Sequence, residues 1–152
     1  MNRERVIEAL NEAISLEHAA ALQYKQQALL VRGLWRPVYA DKFAAASKEA
    51  MRHAHAFGQK IVALGGLPTL EVAPLKQAIS LEDMLVHDVE IERKALAAYE
   101  RALELGKDDT ALRNMLEDQI EAETHDVEDL ELILEQVKTA TPKRNVSLRE
   151  AS

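Results

Sequence analysis

The stretch from Ala46 to Leu64 fixes most of what this chain can become. Ala46, Ala50, His53, Phe57, Ile61 and Leu64 recur at steps of three or four, the spacing of one helix face turned toward a core. Gly65-Gly66-Leu67-Pro68 ends it, because glycine accepts the left-handed turn that stops a helix and proline cannot prolong one. One member of the stripe, His53, is ionisable, so the expected core is not wholly apolar.

Three other stretches carry the same period. Val6, Leu10, Ile14, Ala21, Tyr24, Ala28 and Val31 predict a first helix over about 3–32, stopped by Gly33. The second runs over about 37–64, opened by Pro37, a residue suited to a first helical turn. Ser80-Leu81-Glu82-Asp83 caps a third over about 81–105, with the stripe Leu81, Leu85, Asp88, Glu92, Ala95, Tyr99 and Ala102. The fourth follows Asp108-Asp109 over about 110–138, with Leu112, Met115, Ala122, His125 and Ile133 read as its inward face. Residues from about 139 to 152 form a polar tail in which Ser147-Leu148-Arg149-Glu150 can start a short fifth helix.

Leu67 to Ile79 has two prolines and no period, which reads as a long connection between long helices. Short, long and short links predict an all-α fold: a single domain over 1–152, an antiparallel four-helix bundle with a crossover between its second and third helices. Aromatics at 4% and abundant Ala, Leu, Glu and Lys favour helices over a sheet. With no cysteine, disulfides, thiolate metal sites and a cysteine nucleophile are excluded. No run approaches the roughly 18 apolar residues of a membrane span and no leader pattern opens the chain, so a cytoplasmic protein without membrane partners is expected. The net charge of −7, with basic residues interspersed among acids, argues against a nucleic-acid surface and favours cations.

Glu17 and Glu92 stand inside the first and third stripes, where a carboxylate is costly unless it is paired, protonated or bound to a cation. The second and fourth stripes each contribute a histidine, His53 and His125. Two Glu and two His around one point suit iron, manganese or zinc, and a bundle interior is where such sites are built. A hydrogen-bonded polar layer without metal is the plainer alternative.

In this order of landmarks the chain resembles the ferritin-like di-iron carboxylate proteins, bacterioferritin in particular: Glu17 with Gln23-Tyr24, Met51-Arg52-His53, Gly66-Leu67-Pro68, Asp88 with Glu92, and His125. The resemblance covers nearly the whole chain. It implies twofold dimers assembling into a hollow cage that stores iron as a mineral, with a ferroxidase centre in each bundle. Glu17, His53, Glu92 and His125 become the expected ligands for iron or another divalent metal. A second ferritin-like subunit is a further partner that the resemblance leaves open.

The family pattern on the second and fourth helices is Glu-x-x-His, with each Glu bridging two metals; the matching residues here are read as Ala50 and Ala122. Two divalent ions about 4 Å apart repel by roughly 16 kcal/mol at an effective dielectric of about 20, so missing carboxylates matter. The expectation is an impaired or rearranged centre with at most one tightly held ion, and whether the chain is an enzyme stays open. Glu49 and Glu121, each four residues before a histidine and within about 40° of it around the helix, are either substitute ligands or solvated acids.

Met51 falls two residues before His53, on the outer side of its helix. By the same resemblance it matches a methionine that ligates haem b across a dimer interface, with Ala44, Ser47 and Gly58 small enough to admit the ring and Arg52 near a propionate; otherwise it packs in a dimer contact. The alternative functions are therefore a haem-binding or structural subunit, or a ferritin-like oxidoreductase with a rearranged site.

Overall fold

The computed structural model describes residues 1–140, with side chains described through Glu135; the expected fifth helix lies outside the described residues. Four helices account for the architecture: α1 (Arg3–Leu30), α2 (Arg36–Ala63), α3 (Leu81–Gly106) and α4 (Thr110–Ala140). Their ends follow local chemistry. Asn2, Ser80 and Asp109 accept hydrogen bonds from the backbone N–H groups of Arg5, Asp83 and Leu112, the unpaired donors of a first helical turn. Beyond α1, Gly33 adopts φ +84° to turn the chain, and the Arg36 guanidinium donates to the Leu29 and Val31 carbonyls, placing positive charge on the negative end of the helix.

α1 packs on α2 and α3, and α3 packs on α4. Partner residues run in opposite senses: Glu17 meets His53 and Ala21 meets Ser47, whereas Gln27 meets Met84 and Glu12 meets Arg101. α1 is thus antiparallel to both α2 and α3, which makes α2 and α3 parallel and forces the connection between them to travel the length of the bundle. It does so along α1. Asn11 donates to the Leu67 carbonyl and accepts from the Thr69 N–H, the Ala73 N–H donates to the Ser15 carbonyl, and Gln26 reaches Gln77. The first three satisfy backbone groups of the crossover that have no helical partner.

Two apolar clusters fill the interior. One gathers Val6, Leu10, Ile14, Phe57, Ile61, Tyr99, Leu112 and Leu116, with the Phe57 and Tyr99 ring centroids 5.1 Å apart; the other gathers Tyr24, Tyr39, Phe43, Met84, Leu85 and Leu130. Along each helix the two clusters are separated by one buried ionisable residue: Glu17 on α1, His53 on α2, Glu92 on α3 and Glu123 on α4. The fold therefore holds a polar layer between two hydrophobic blocks. No helix among the described residues is long and apolar enough to cross a membrane.

Candidate metal centre

The four residues of the layer are almost removed from solvent, with Glu17 2%, His53 3%, Glu92 8% and Glu123 4% exposed. Ligand-capable atoms of Glu17, His53 and Glu123 all lie within 4.8 Å of one another. His53 Nδ1 stands 3.6 Å from Glu17 Oε1 and 3.4 Å from Glu123 Oε1. On the other side of the ring, Nε2 lies 3.0 Å from Glu49 Oε1, and the Arg52 guanidinium donates to that same oxygen. A ring that donates through Nε2 turns the lone pair of Nδ1 toward the two buried carboxylates, the arrangement by which an outer carboxylate orients a metal-binding imidazole.

α3 completes the layer. The Tyr24 hydroxyl donates to Glu92 Oε1 at 2.7 Å, and one turn earlier the fully buried Asp88 accepts from Gln23 Nε2 at 2.9 Å and Gln27 Nε2 at 2.7 Å, both at Oδ1. Packing so many acids together moves their titration. Burial, offset in part by His53 and reinforced by Glu92, pushes the Glu17 carboxyl up to about 7. Burial, with Glu92 beside it, pushes the Glu123 carboxyl well above the usual carboxylate range. Asp88 rises to about 7 because burial outweighs its two amide donors. For His53 burial favours the neutral ring, but Glu17 and Glu49 together outweigh it and raise the pKa.

A cavity of about 320 Å³ opens from this layer between α2 and α4, its rim carrying Lys42, Glu49, Asp126 and Asp129. Ala45, Ala46 and Ala50 line the α2 wall and leave the space open. Glu17 Oε1, His53 Nδ1 and Glu123 Oε2 are buried without hydrogen-bond partners. Buried acceptors left unpaired are costly unless a proton or a cation joins them, and carboxylate oxygen with imidazole nitrogen suits iron, manganese or zinc. The donor set fits a divalent ion.

The structure brings Glu17, His53 and Glu92 together and leaves His125 out. The His125 side chain is 73% exposed and stands 3.6 Å from Asp129. The inward line of α4 runs through Leu112, Leu116, Glu123, Val127 and Leu130, and a residue two positions past Glu123 points about 200° away. Ala122 and Glu121 are likewise exposed, so the α4 carboxylate of the interior is Glu123, one residue beyond the expected alanine. Reading Leu116 and Leu130 into the stripe would have found it. Asp126, one turn further on the same face, lines the cavity where the sequence pattern placed no ligand. On α2, Ala50 is buried and lines the cavity, and Glu49 reaches His53 from the rim.

Met51 is 50% exposed on the opposite side of α2, lining a separate open groove of about 600 Å³ with His18, His55, Gly58 and Pro68. Ser47 does not face that groove: its hydroxyl donates to the Ala21 carbonyl on α1 at 2.7 Å.

Comparisons with known proteins agree with this geometry. Residues 7–140 match the ferritin-like domain. Over 136 residues the chain is 30% identical to a bacterioferritin of Streptomyces coelicolor, covering 88% of this chain and 81% of that protein. It is 32% identical over 102 residues to a bacterioferritin of Brucella melitensis biotype 1, covering 66% of this chain and 63%, less than two thirds, of that relative. The fold superposes with a TM-score of 0.84 on a crystal structure described as ferritin like, diiron-carboxylate proteins from Bacillus anthracis str. Ames, at 32% identity over 87% of this chain and 96% of the other. A four-helix bundle with an acid-and-imidazole layer at its centre, matched in sequence along most of its length, belongs to the ferritin-like domain family.

Proposed function

We propose that this chain is an iron-storage subunit that takes iron(II) as its substrate at the layer formed by Glu17, His53, Glu92 and Glu123. One observation carries the reading: three buried carboxylates and one imidazole converge on the same cavity with unpartnered atoms of Glu17, His53 and Glu123 facing one another. The naming of two relatives as bacterioferritins and the description of a structural neighbour as diiron-carboxylate support iron as the metal. Bound there, iron would be held where it can give up an electron. The protein's part is to supply negative charge in a dry site, orient the imidazole through Glu49 and keep Glu92 fixed through Tyr24. The ferroxidase centre is rearranged: Ala50 removes one expected carboxylate from α2, while Glu123 supplies one from α4.

The subunits would assemble as twofold dimers into a cage in the cytoplasm. Anaerobic iron(II) titration, followed by oxygen uptake, tests the core of the proposal. Saturable binding should be lost in Glu17→Ala/Glu123→Ala, and with it the burst of oxygen uptake. Equal binding by the unmodified chain and that variant would sink it. A second reading, haem b at Met51, is favoured by the half-exposed thioether beside an open groove. A haem absorption band in reconstituted dimers that Met51→Leu leaves unchanged would remove it.

A further inference from the structure

The cavity that opens from the layer is larger than an ion needs. Its volume of about 320 Å³ extends between α2 and α4 along Phe43, Ala45, Ala46, Ala50 and Leu130, walls that carry no ligand atom. That is the size and lining of a site for a small organic molecule. At the inner end, Glu17, His53 and Glu123 offer acceptor atoms within 4.8 Å of one another, and Glu17 Oε1, His53 Nδ1 and Glu123 Oε2 have no hydrogen-bond partner. At the outer end, Asp126 and Asp129 lie about one and two turns of α4 beyond Glu123. Alanine at position 50 leaves the passage between the two ends open.

We propose that the metal-free chain binds a short aliphatic diamine in this cavity, with one ammonium in the layer and the other at the acidic mouth. Donor count decides the head group. A primary ammonium carries three N–H donors and no acceptor, and the layer presents three acceptors that have no donor. Around a tetrahedral nitrogen, acceptors at about 2.8 Å stand about 4.6 Å apart, a spacing that fits within the 4.8 Å limit of this group. A hydroxyl would serve one of the three and leave two buried and unpaired. An ammonium also favours the ionised carboxyls, as any cation there does.

Charge and shape agree with that choice. Six carboxylates border the cavity, Glu17, Glu49, Glu92, Glu123, Asp126 and Asp129, against the single ammonium of Lys42. Lys42 cannot serve the layer itself, because it precedes His53 by eleven residues, about 16 Å of helix rise, beyond the reach of its side chain. At the mouth it opposes the outer ammonium, so selectivity comes mainly from the inner one. From the level of Glu123, Asp126 and Asp129 stand about 4.5 and 9 Å along the helix, a span that four or five methylenes cover against Phe43, Ala46 and Leu130. Diamine and iron(II) claim the same three atoms and so exclude each other, which makes the amine a regulator of iron uptake at the layer proposed above.

Calorimetry on the full chain, freed of metal with chelator and held in about 150 mM salt, tests this with 1,4-diaminobutane, butylamine and 1-butanol. Diaminobutane should bind saturably, one per subunit, butylamine about threefold more weakly, and butanol without detectable heat. Diaminobutane at about ten times its Kd should weaken anaerobic iron(II) binding about tenfold. Ala46→Phe fills the passage away from the layer, and should weaken diaminobutane by about tenfold or more while leaving iron(II) binding within about twofold. Asp129→Asn should abolish the preference for diaminobutane over butylamine. Iron(II) binding with no amine binding, diaminobutane binding that Ala46→Phe and Asp129→Asn both leave unchanged, or a diamine that iron(II) does not displace would overturn the inference and leave the iron reading standing. Amine binding without iron(II) binding would support the amine site and sink the iron reading. Binding of neither would overturn both.

Discussion

A carboxyl group that keeps its proton because it is buried makes folding depend on pH in a definite direction. Glu17 rises from 4.5 to about 7 and Asp88 from 3.8 to about 7, each chiefly through burial. Between these limits the folded chain holds protons that the unfolded chain has released, so unfolding releases protons and stability falls as pH rises. Metal-free protein, prepared with chelator, should therefore melt several degrees higher at about pH 5 than at about pH 8. Glu17→Gln/Asp88→Asn should flatten the profile, and a melting temperature that climbs over this interval would refute the assignment. Metal replaces those protons, so the loaded protein should show a weaker or opposite slope. Burial and the neighbouring Glu92 push the Glu123 carboxyl far above the usual carboxylate range, which favours its protonated form without metal. Glu123→Gln should hence change the metal-free melting temperature by no more than about 3 °C, while sharply weakening metal uptake in the same titration.

At the scale of the helix, glycine positions separate packing from flexibility. A Cβ at Gly66 would meet Ile7 Cδ1 at 2.8 Å and Ile61 Cγ2 at 2.9 Å, so Gly66→Ala should cost about 1–3 kcal/mol by forcing α1 and the end of α2 apart. Gly58, inside α2, would meet only Pro68 at 3.7 Å, so Gly58→Ala should stabilise by about 0.5–1 kcal/mol through helix propensity. Denaturant midpoints for the two variants check both signs. The helices were legible in sequence because their stripes are long. α1, α2 and α3 could each be phased from at least five inward residues, which placed Glu17, His53 and Glu92 correctly in the interior. α4 was harder: Ile120, Ala122 and Ile133 compete with Leu116, Val127 and Leu130 for the inward line, and a histidine near the expected spacing drew the phase away from Glu123. Asp126 stayed hidden because an aspartate on a helix that also carries Asp118, Asp129 and several Glu has no mark of its own until the partner helices are in place.

At the scale of the molecule, apolar side chains remain outside. Met51 and Val62 flank the groove on α2, while Leu67 and Leu70 are 83% and 93% exposed on the crossover and Leu22 is 51% exposed on α1. So much apolar surface on neighbouring elements is uncommon for a monomer and suits a contact between copies. Light scattering at micromolar concentration should find dimers or larger assemblies, and Leu70→Glu/Met51→Lys should shift the population toward monomer without loss of helicity. The crossover has another consequence. Asn11, Ser15 and Gln26 hold it against α1, so the crossover stays with the first helical hairpin as far as Gln77. A single protease cut near the exposed Ile79 would leave two fragments, each an antiparallel helix pair, still joined across the buried face of α1 and α3. Two halves made separately and mixed should therefore co-elute as one helical complex, the polar layer closing only when both are present.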